Sequence, residues 1–224
     1  MTHGGSARLS WMRGGQAERP AVVRALPFGG GDEALIAGIR AGQSGAAVAL
    51  VERYGHHIER VLCRVLGPDP ELPDVLHDVI AHALSNIDQV RSADALKAWL
   101  TQIAVFCGRG VIRRRQRRKW LTFWDPSDLP DVASPESSPE TRDLLAATYE
   151  ILARLPEDER IAFSLRFVDQ MELTEVASAL DVSLATVKRI LRRAEARFLT
   201  FAKRYPLVLE AIEQGTRWKK EEAP

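Results

Sequence analysis

Between Trp120 and Thr141 stand Pro126, Pro130, Pro135 and Pro139 among serines and acids. Proline removes a backbone donor and clashes with the preceding helical turn, so no long regular element runs through such a stretch. The 224-residue chain is therefore read as two folding blocks joined by a linker. Charge sharpens the division. Residues 109–119 hold seven cations, whereas residues 120–141 hold five acids and no Lys or Arg. The net charge of +1 averages these blocks away and says nothing about partners.

Both blocks read as helical. From Asp32 onward, Leu35, Ile36, Ile39, Ala46, Leu50, Tyr54, Ile58, Leu62, Val65 and Leu66 recur at spacings of three and four, the period of a one-sided helix. Gly67-Pro68-Asp69-Pro70 stops that stretch. Pro73-Asp74 opens a helix carrying Val75, Leu76, Val79, Ile80, Ala83 and Leu84. Ser85–Asp94 is polar and turn-prone. A third helix is expected from about Ala95 to Lys119, apolar at first and then strongly basic. After the linker, Leu144, Leu145, Tyr149, Leu152 and Leu155 mark one helix. Pro156 with Glu157, Asp158 and Glu159 marks the start of the next, where acids suit the positive end of the helix dipole. No strand-like alternation occurs. The expected fold is all-α: a tail over 1–31, a helical domain over 32–119, the linker over 120–141, a second helical domain over 142–204 and a tail over 205–224 with room for one short helix. Nothing before Met12 reads as structural, so Met12 is a second candidate start.

The most specific local pattern runs from Leu173 to Ala194. It reads as a short helix (174–180), a tight turn at Asp181-Val182, and a second helix whose first backbone donors Ser183 caps. Ala177 is small where the helices cross, and Val176, Leu180, Val182, Val187 and Ile190 fill the space between them. This is the helix-turn-helix pattern. Its second helix carries Thr186, Lys188, Arg189, Arg192 and Arg193 on the outer side. A helix so furnished fits the major groove, its early residues at base edges and its later cations on phosphates.

The run Arg109, Arg113, Arg114, Arg115, Arg117, Arg118 and Lys119 is a second nucleic-acid signal, because cations at this density displace counterions from phosphates. Trp120 and Trp124 add aromatic surface for stacking or packing. Other chemistries find little footing. His77 and His82 are five residues apart, about 140° around a helix, and do not share a metal-binding face. His56 and Cys63 share a face but lack further ligands. No glycine-rich phosphate loop and no nucleophile–base pair is present, so no catalytic residue, metal or cofactor is assigned. No apolar run nears the roughly 18 residues of a membrane span. Two cysteines, Cys63 and Cys107, fit a reducing cytoplasm.

With these residues in view, the sequence resembles the ECF (extracytoplasmic-function) sigma factors of bacterial RNA polymerase across about residues 32–204. The resemblance rests on Ala46–Gly67, on Asp74-Val-Leu-His-Asp-Val-Ile, and on Ala95-Leu-Lys-Ala-Trp-Leu-Thr-Gln-Ile-Ala with the arginines after it. In the second half it rests on Leu155-Pro-Glu-Asp-Glu-Arg-Ile-Ala-Phe-Ser-Leu-Arg-Phe, Glu175-Val-Ala and Ala185-Thr-Val-Lys-Arg. The order and spacing of these pieces about an acidic linker make it specific. Three departures stand out: His77-Asp78 where the family usually has Gln-Glu, Val105-Phe106 where it often has Arg-Asn, and Ala185 where a Gly is usual.

The resemblance implies two DNA-binding domains, sigma-2 and sigma-4, and a non-catalytic role. It implies that the helix bearing Asp74, His77 and Asp78 docks on the β′ clamp helices of core polymerase, with the β flap as a further contact. Ser85–Ala95 would hold an unstacked base of the −10 element. Arg109, Arg113, Arg114, Arg117 and Arg118 would lie along that element, and Thr186, Lys188, Arg189, Arg192 and Arg193 would read the −35 element. An anti-sigma factor is a frequent partner of the family. The residues alone also admit a second reading, a stand-alone helix-turn-helix repressor or activator.

Overall fold

The computed structural model describes residues 28–67, 69–119 and 139–214. Most of the linker, with Trp120 and Trp124, and the tail ahead of Phe28 lie outside the described residues. Among those described there are nine α-helices and no strand. The long apolar stretch from Asp32 is two helices, α1 (Asp32–Arg40) and α2 (Ser44–Leu66). The break falls at Gly42, whose φ of +68° favours a residue without Cβ. Next come α3 (Leu72–Ser85) and α4 (Leu96–Lys119), joined by short 3₁₀ turns at Ile87–Gln89 and Ala93–Ala95. Asn86 ends α3 by donating its side-chain amide to the His82 carbonyl at 2.8 Å. Leu50, Ile58, Leu62, Val79, Leu96 and Leu100 are fully buried where α2, α3 and α4 meet.

The second half is α5 (Pro139–Leu152), α6 (Glu157–Phe163), a π-helical turn at Ser164–Val168, α7 (Leu173–Leu180), α8 (Leu184–Ala202) and α9 (Pro206–Gln214). Helix α5 starts three residues inside the stretch expected to be linker, because a proline is tolerated in a helix's first turn. In the region expected as a C-terminal tail, α9 adds Val208 to a cluster with Leu152, Phe163, Phe198 and Ala202. Phe163 and Phe198 stack there with ring centroids 4.4 Å apart.

The halves are packed together, which sequence periodicity did not reveal. One apolar cluster runs from α1–α4 into Ile161, Ala162, Leu165, Val176, Val187 and Leu191. Polar groups fasten the same seam. The last carbonyls of a helix lack intrahelical donors. At the end of α2, Arg160 of α6 supplies them, donating to the Val65 carbonyl at 3.1 Å and the Leu66 carbonyl at 2.8 Å. Burial pushes the Arg160 guanidinium down to about 10, still charged at neutral pH. Tyr149 donates its hydroxyl to the Cys63 carbonyl at 3.2 Å. Gly67 has φ +75°, and a Cβ there would meet the Tyr149 ring at 2.7 Å, so glycine serves both the turn and the close approach.

A smaller polar group lies on the α2–α4 side of the seam. Thr101 Oγ1 donates to the Lys97 carbonyl at 3.0 Å. It therefore accepts from His57 Nε2, 2.8 Å away. That leaves His57 Nδ1 as an acceptor facing Arg60 at 3.4 Å. Arg60 also meets Asp169 of the second half at 3.2 Å. Burial, then Lys97 and Arg60, push the His57 imidazole down to about 4. The unfolded chain takes up this proton below about pH 6.5, while the folded chain resists until about pH 4. Stability is therefore expected to fall through that window as pH falls. Urea midpoints measured at pH 7, 5.5 and 4.5 should decline less for His57→Gln than for the wild type. Parallel declines would contradict the assignment.

Candidate nucleic-acid interface

The first basic surface is the exposed end of α4. An α-helix turns 100° per residue, so Arg109, Arg113 and Arg117 form a stripe and Arg114 lies beside it. Arg109 meets Glu157 at 3.1 Å and Asp158 at 3.0 Å, and Arg113 meets Glu157 at 2.8 Å. Those acids open α6, the position that the dipole favours for them. Arg114 meets Glu71 at 3.1 Å, and Arg115 pairs with buried Asp69. Arg117 is exposed, and Arg118 lies in the last turn of α4. Four of the five linker acids fall outside the described residues, and the fifth, Glu140, is exposed in the first turn of α5; the acids in contact with Arg109 and Arg113 are Glu157 and Asp158 of α6.

The second basic surface is α8. Ser183 Oγ accepts from the Thr186 N–H at 3.2 Å, and Asp181 takes the left-handed turn conformation at φ 55°. Val176, Leu180, Val187 and Ile190 are buried between α7 and α8, and Val182 is half-buried. Lys188, Arg189 and Arg192 are exposed and Thr186 is half-buried at the helix start. Arg193 is turned toward α6, 3.6 Å from Glu159, and Arg197 approaches the same carboxylate at 3.4 Å. Glu159 is 4% exposed, so these two arginines balance a buried charge. Sequence reasoning missed Arg197 and the tie on Arg193, since nothing local links α6 to α8.

Asp74, His77 and Asp78 sit together on the exposed side of α3. Burial, and after it the charge of Asp78, push the Cys107 thiol of α4 up to about 11. Cys63 and Cys107 are both free thiols. Among the described residues no group of three His, Cys, Asp or Glu gathers as a metal site, and no helix is long and apolar enough to cross a membrane.

Comparison with known proteins matches both halves. The family model for sigma-70 region 2 matches residues 50–121, and that for sigma-70 region 4 matches residues 145–198. Together these spans cover more than half the chain. The chain is 28% identical over 175 residues to the ECF RNA polymerase sigma-E factor of Escherichia coli K12, covering 74% of this chain and 91% of that protein. It is 27% identical over 174 residues to the sigma-E factor of Haemophilus influenzae, covering 73% and 92%. Among solved structures, CnrH in complex with the cytosolic domain of CnrY gives a TM-score of 0.54 at 22% identity, over 78% of this chain and 98% of that one. The sigma factor RpoE of Bartonella quintana, in complex with the anti-sigma factor NepR, gives 0.50 at 18% identity, over 66% and 90%.

The ion pairs on α4 carry a prediction for the free protein. Glu157→Gln with Asp158→Asn releases Arg109 and Arg113 without changing side-chain size. The variant should bind generic duplex DNA more tightly than the wild type. Its log–log salt slope should steepen by about two, near one per freed phosphate contact. A titration by fluorescence anisotropy across several salt concentrations reads both. An unchanged slope would show that these acids do not compete with phosphate.

Proposed function

The chain belongs to the ECF class of sigma-70 factors, which direct bacterial RNA polymerase to promoters, and we propose that it divides this work between α4 and α8. Helix α8 takes the duplex −35 element, with Thr186 and Arg189 at base edges and Lys188 and Arg192 nearer the backbone. Arg193 serves an adjacent phosphate once it leaves Glu159. Helix α4 lies along the −10 element, where Arg109, Arg113, Arg114, Arg117 and Arg118 neutralise phosphates while the segment Ser85–Ala95 holds a separated base. Asp74, His77 and Asp78 of α3 dock on the β′ clamp helices, and the second half adds a contact to the β flap. The protein acts in the cytoplasm as a non-catalytic specificity subunit, and DNA opening rests on binding energy. The single observation that carries the reading is the pairing of an arginine-striped helix with an exposed helix-turn-helix in one chain. A stand-alone helix-turn-helix regulator has no use for the first of these, nor for the match to region 2.

In the closed arrangement Glu157 and Asp158 stand where phosphates would lie on Arg109 and Arg113. We infer that core polymerase separates the halves and exposes this stripe. An anti-sigma protein is an expected regulator, and one that stabilises the closed form would act in the same sense.

Run-off transcription with purified core polymerase, on libraries randomised in both promoter elements, separates the two surfaces. Arg189→Ala should relax preference at one upstream position, a base contact being worth about 1–3 kcal/mol. Arg114→Ala with Arg117→Ala should weaken opening on every sequence and flatten the salt dependence by about two. If upstream preference and salt slope both stay as in the wild type, the division is wrong.

A further inference from the structure

Phe106 is 64% exposed, the most exposed of the large apolar side chains described. A single exposed apolar residue needs no explanation, but the placement of this one does. Its ring meets the His82 ring, centroids 5.8 Å apart and planes tilted by 37°. His82 lies in the last turn of α3, three residues before Ser85, where the segment assigned to hold a separated base begins. Phe106 also heads the arginine stripe: Gly110, Arg113 and Arg117 follow at four, seven and eleven residues, all within about 40° of it around the helix. Gly110 is exposed, and a Cβ there would meet nothing within 4 Å. The stripe therefore reads aromatic ring, bare backbone, cation, cation. From Phe106 to Arg113 is about 10 Å along the axis, close to three base rises of a stacked strand.

An aromatic face continued by a cationic groove is how proteins hold single-stranded nucleic acid, the ring stacking on a base and the cations following its phosphates. We propose that Phe106, backed by His82, is a stacking platform for an unpaired promoter base, with the strand running on past Gly110 to Arg113 and Arg117. The inference rests on the promoter-opening reading above and adds a residue to it. Stacking is sequence-tolerant, so Phe106 promotes and holds strand separation, while base identity is read elsewhere. The closed arrangement leaves the ring uncovered and occupies Arg113 through Glu157, so the platform is complete only when the halves part. A polymerase contact is the competing use of an exposed ring beside α3, and the test separates it.

The test uses holoenzyme reconstituted with core polymerase, on a promoter that the wild type opens in run-off assays. 2-Aminopurine placed at successive non-template positions reports unstacking and restacking. Phe106→Ala should co-purify with core as the wild type does, yet reduce open complex about five- to hundredfold, the range expected for one lost base–aromatic stack. Phe106→Trp should restore opening and quench the probe at one position; Phe106→Leu should not. Equal opening by the alanine variant, or full rescue by leucine, would overturn the proposal. Loss of core co-purification by the alanine variant would also overturn it and make Phe106 a polymerase contact. A wild-type protein that opens no promoter with core would sink the promoter reading itself, a different failure from any of these.

Discussion

The end of α2 needs hydrogen-bond donors, and Arg160 brings them from the far side of the chain. Orphaned carbonyls in a buried place are costly, about 1–3 kcal/mol each. The Arg160 guanidinium satisfies two of them, Val65 and Leu66, in the same place where Tyr149 closes over Gly67. This cap fixes how α6 sits on α2, and the rest of the seam follows from it. Ile161 and Ala162 face the first half's apolar cluster because Arg160 beside them is pinned. Glu157, one turn earlier, is delivered to Arg109 and Arg113. When the halves separate, water can solvate the freed carbonyls, so the cap is strong in the closed form yet reversible. Interfaces between domains of one chain are commonly of this kind.

The electrostatics of α6 and α4 follow from that placement. Three acids in the first turn of α6 suit its dipole, and each meets arginines: Glu157 and Asp158 those of α4, Glu159 those of α8. One short helix thus touches both basic helices. It holds Arg109 and Arg113 in ion pairs and draws Arg193 aside, while Lys188, Arg189 and Arg192 remain exposed. Under the proposed division of work, the closed chain presents the helix assigned to duplex DNA and keeps part of the helix assigned to the separated strand in ion pairs.

Much of this was legible in the sequence. Periodicity marked helices on either side of the proline-rich acidic stretch, and the spacing of Val176, Ala177, Leu180 and Val187 with the Ser183 cap gave the helix-turn-helix, because caps and periodicity are local signals. The arginine run and the Asp74–Asp78 face were visible for the same reason. The seam was not. Arg160 and Val65 are 95 residues apart, and no periodic pattern announces that a guanidinium will cap a distant helix. The glycine at 67 read as a helix stop, which it is; the ring that requires it to be glycine lies in the other half. Phe106 was noticed as a departure from the family pattern, but its exposure and its contact with His82 needed the packing of α3 on α4.

The central claim is that the free chain is closed and that core polymerase opens it. Single-molecule energy transfer between dyes at Glu52 on α2 and Thr200 on α8, both exposed and outside the proposed DNA and polymerase contacts, measures this without depending on a promoter. The free protein should give one narrow, short distance, and addition of core polymerase should move the whole population to a longer one. The same distance with and without core, or a broad distribution in the free chain, would contradict the account.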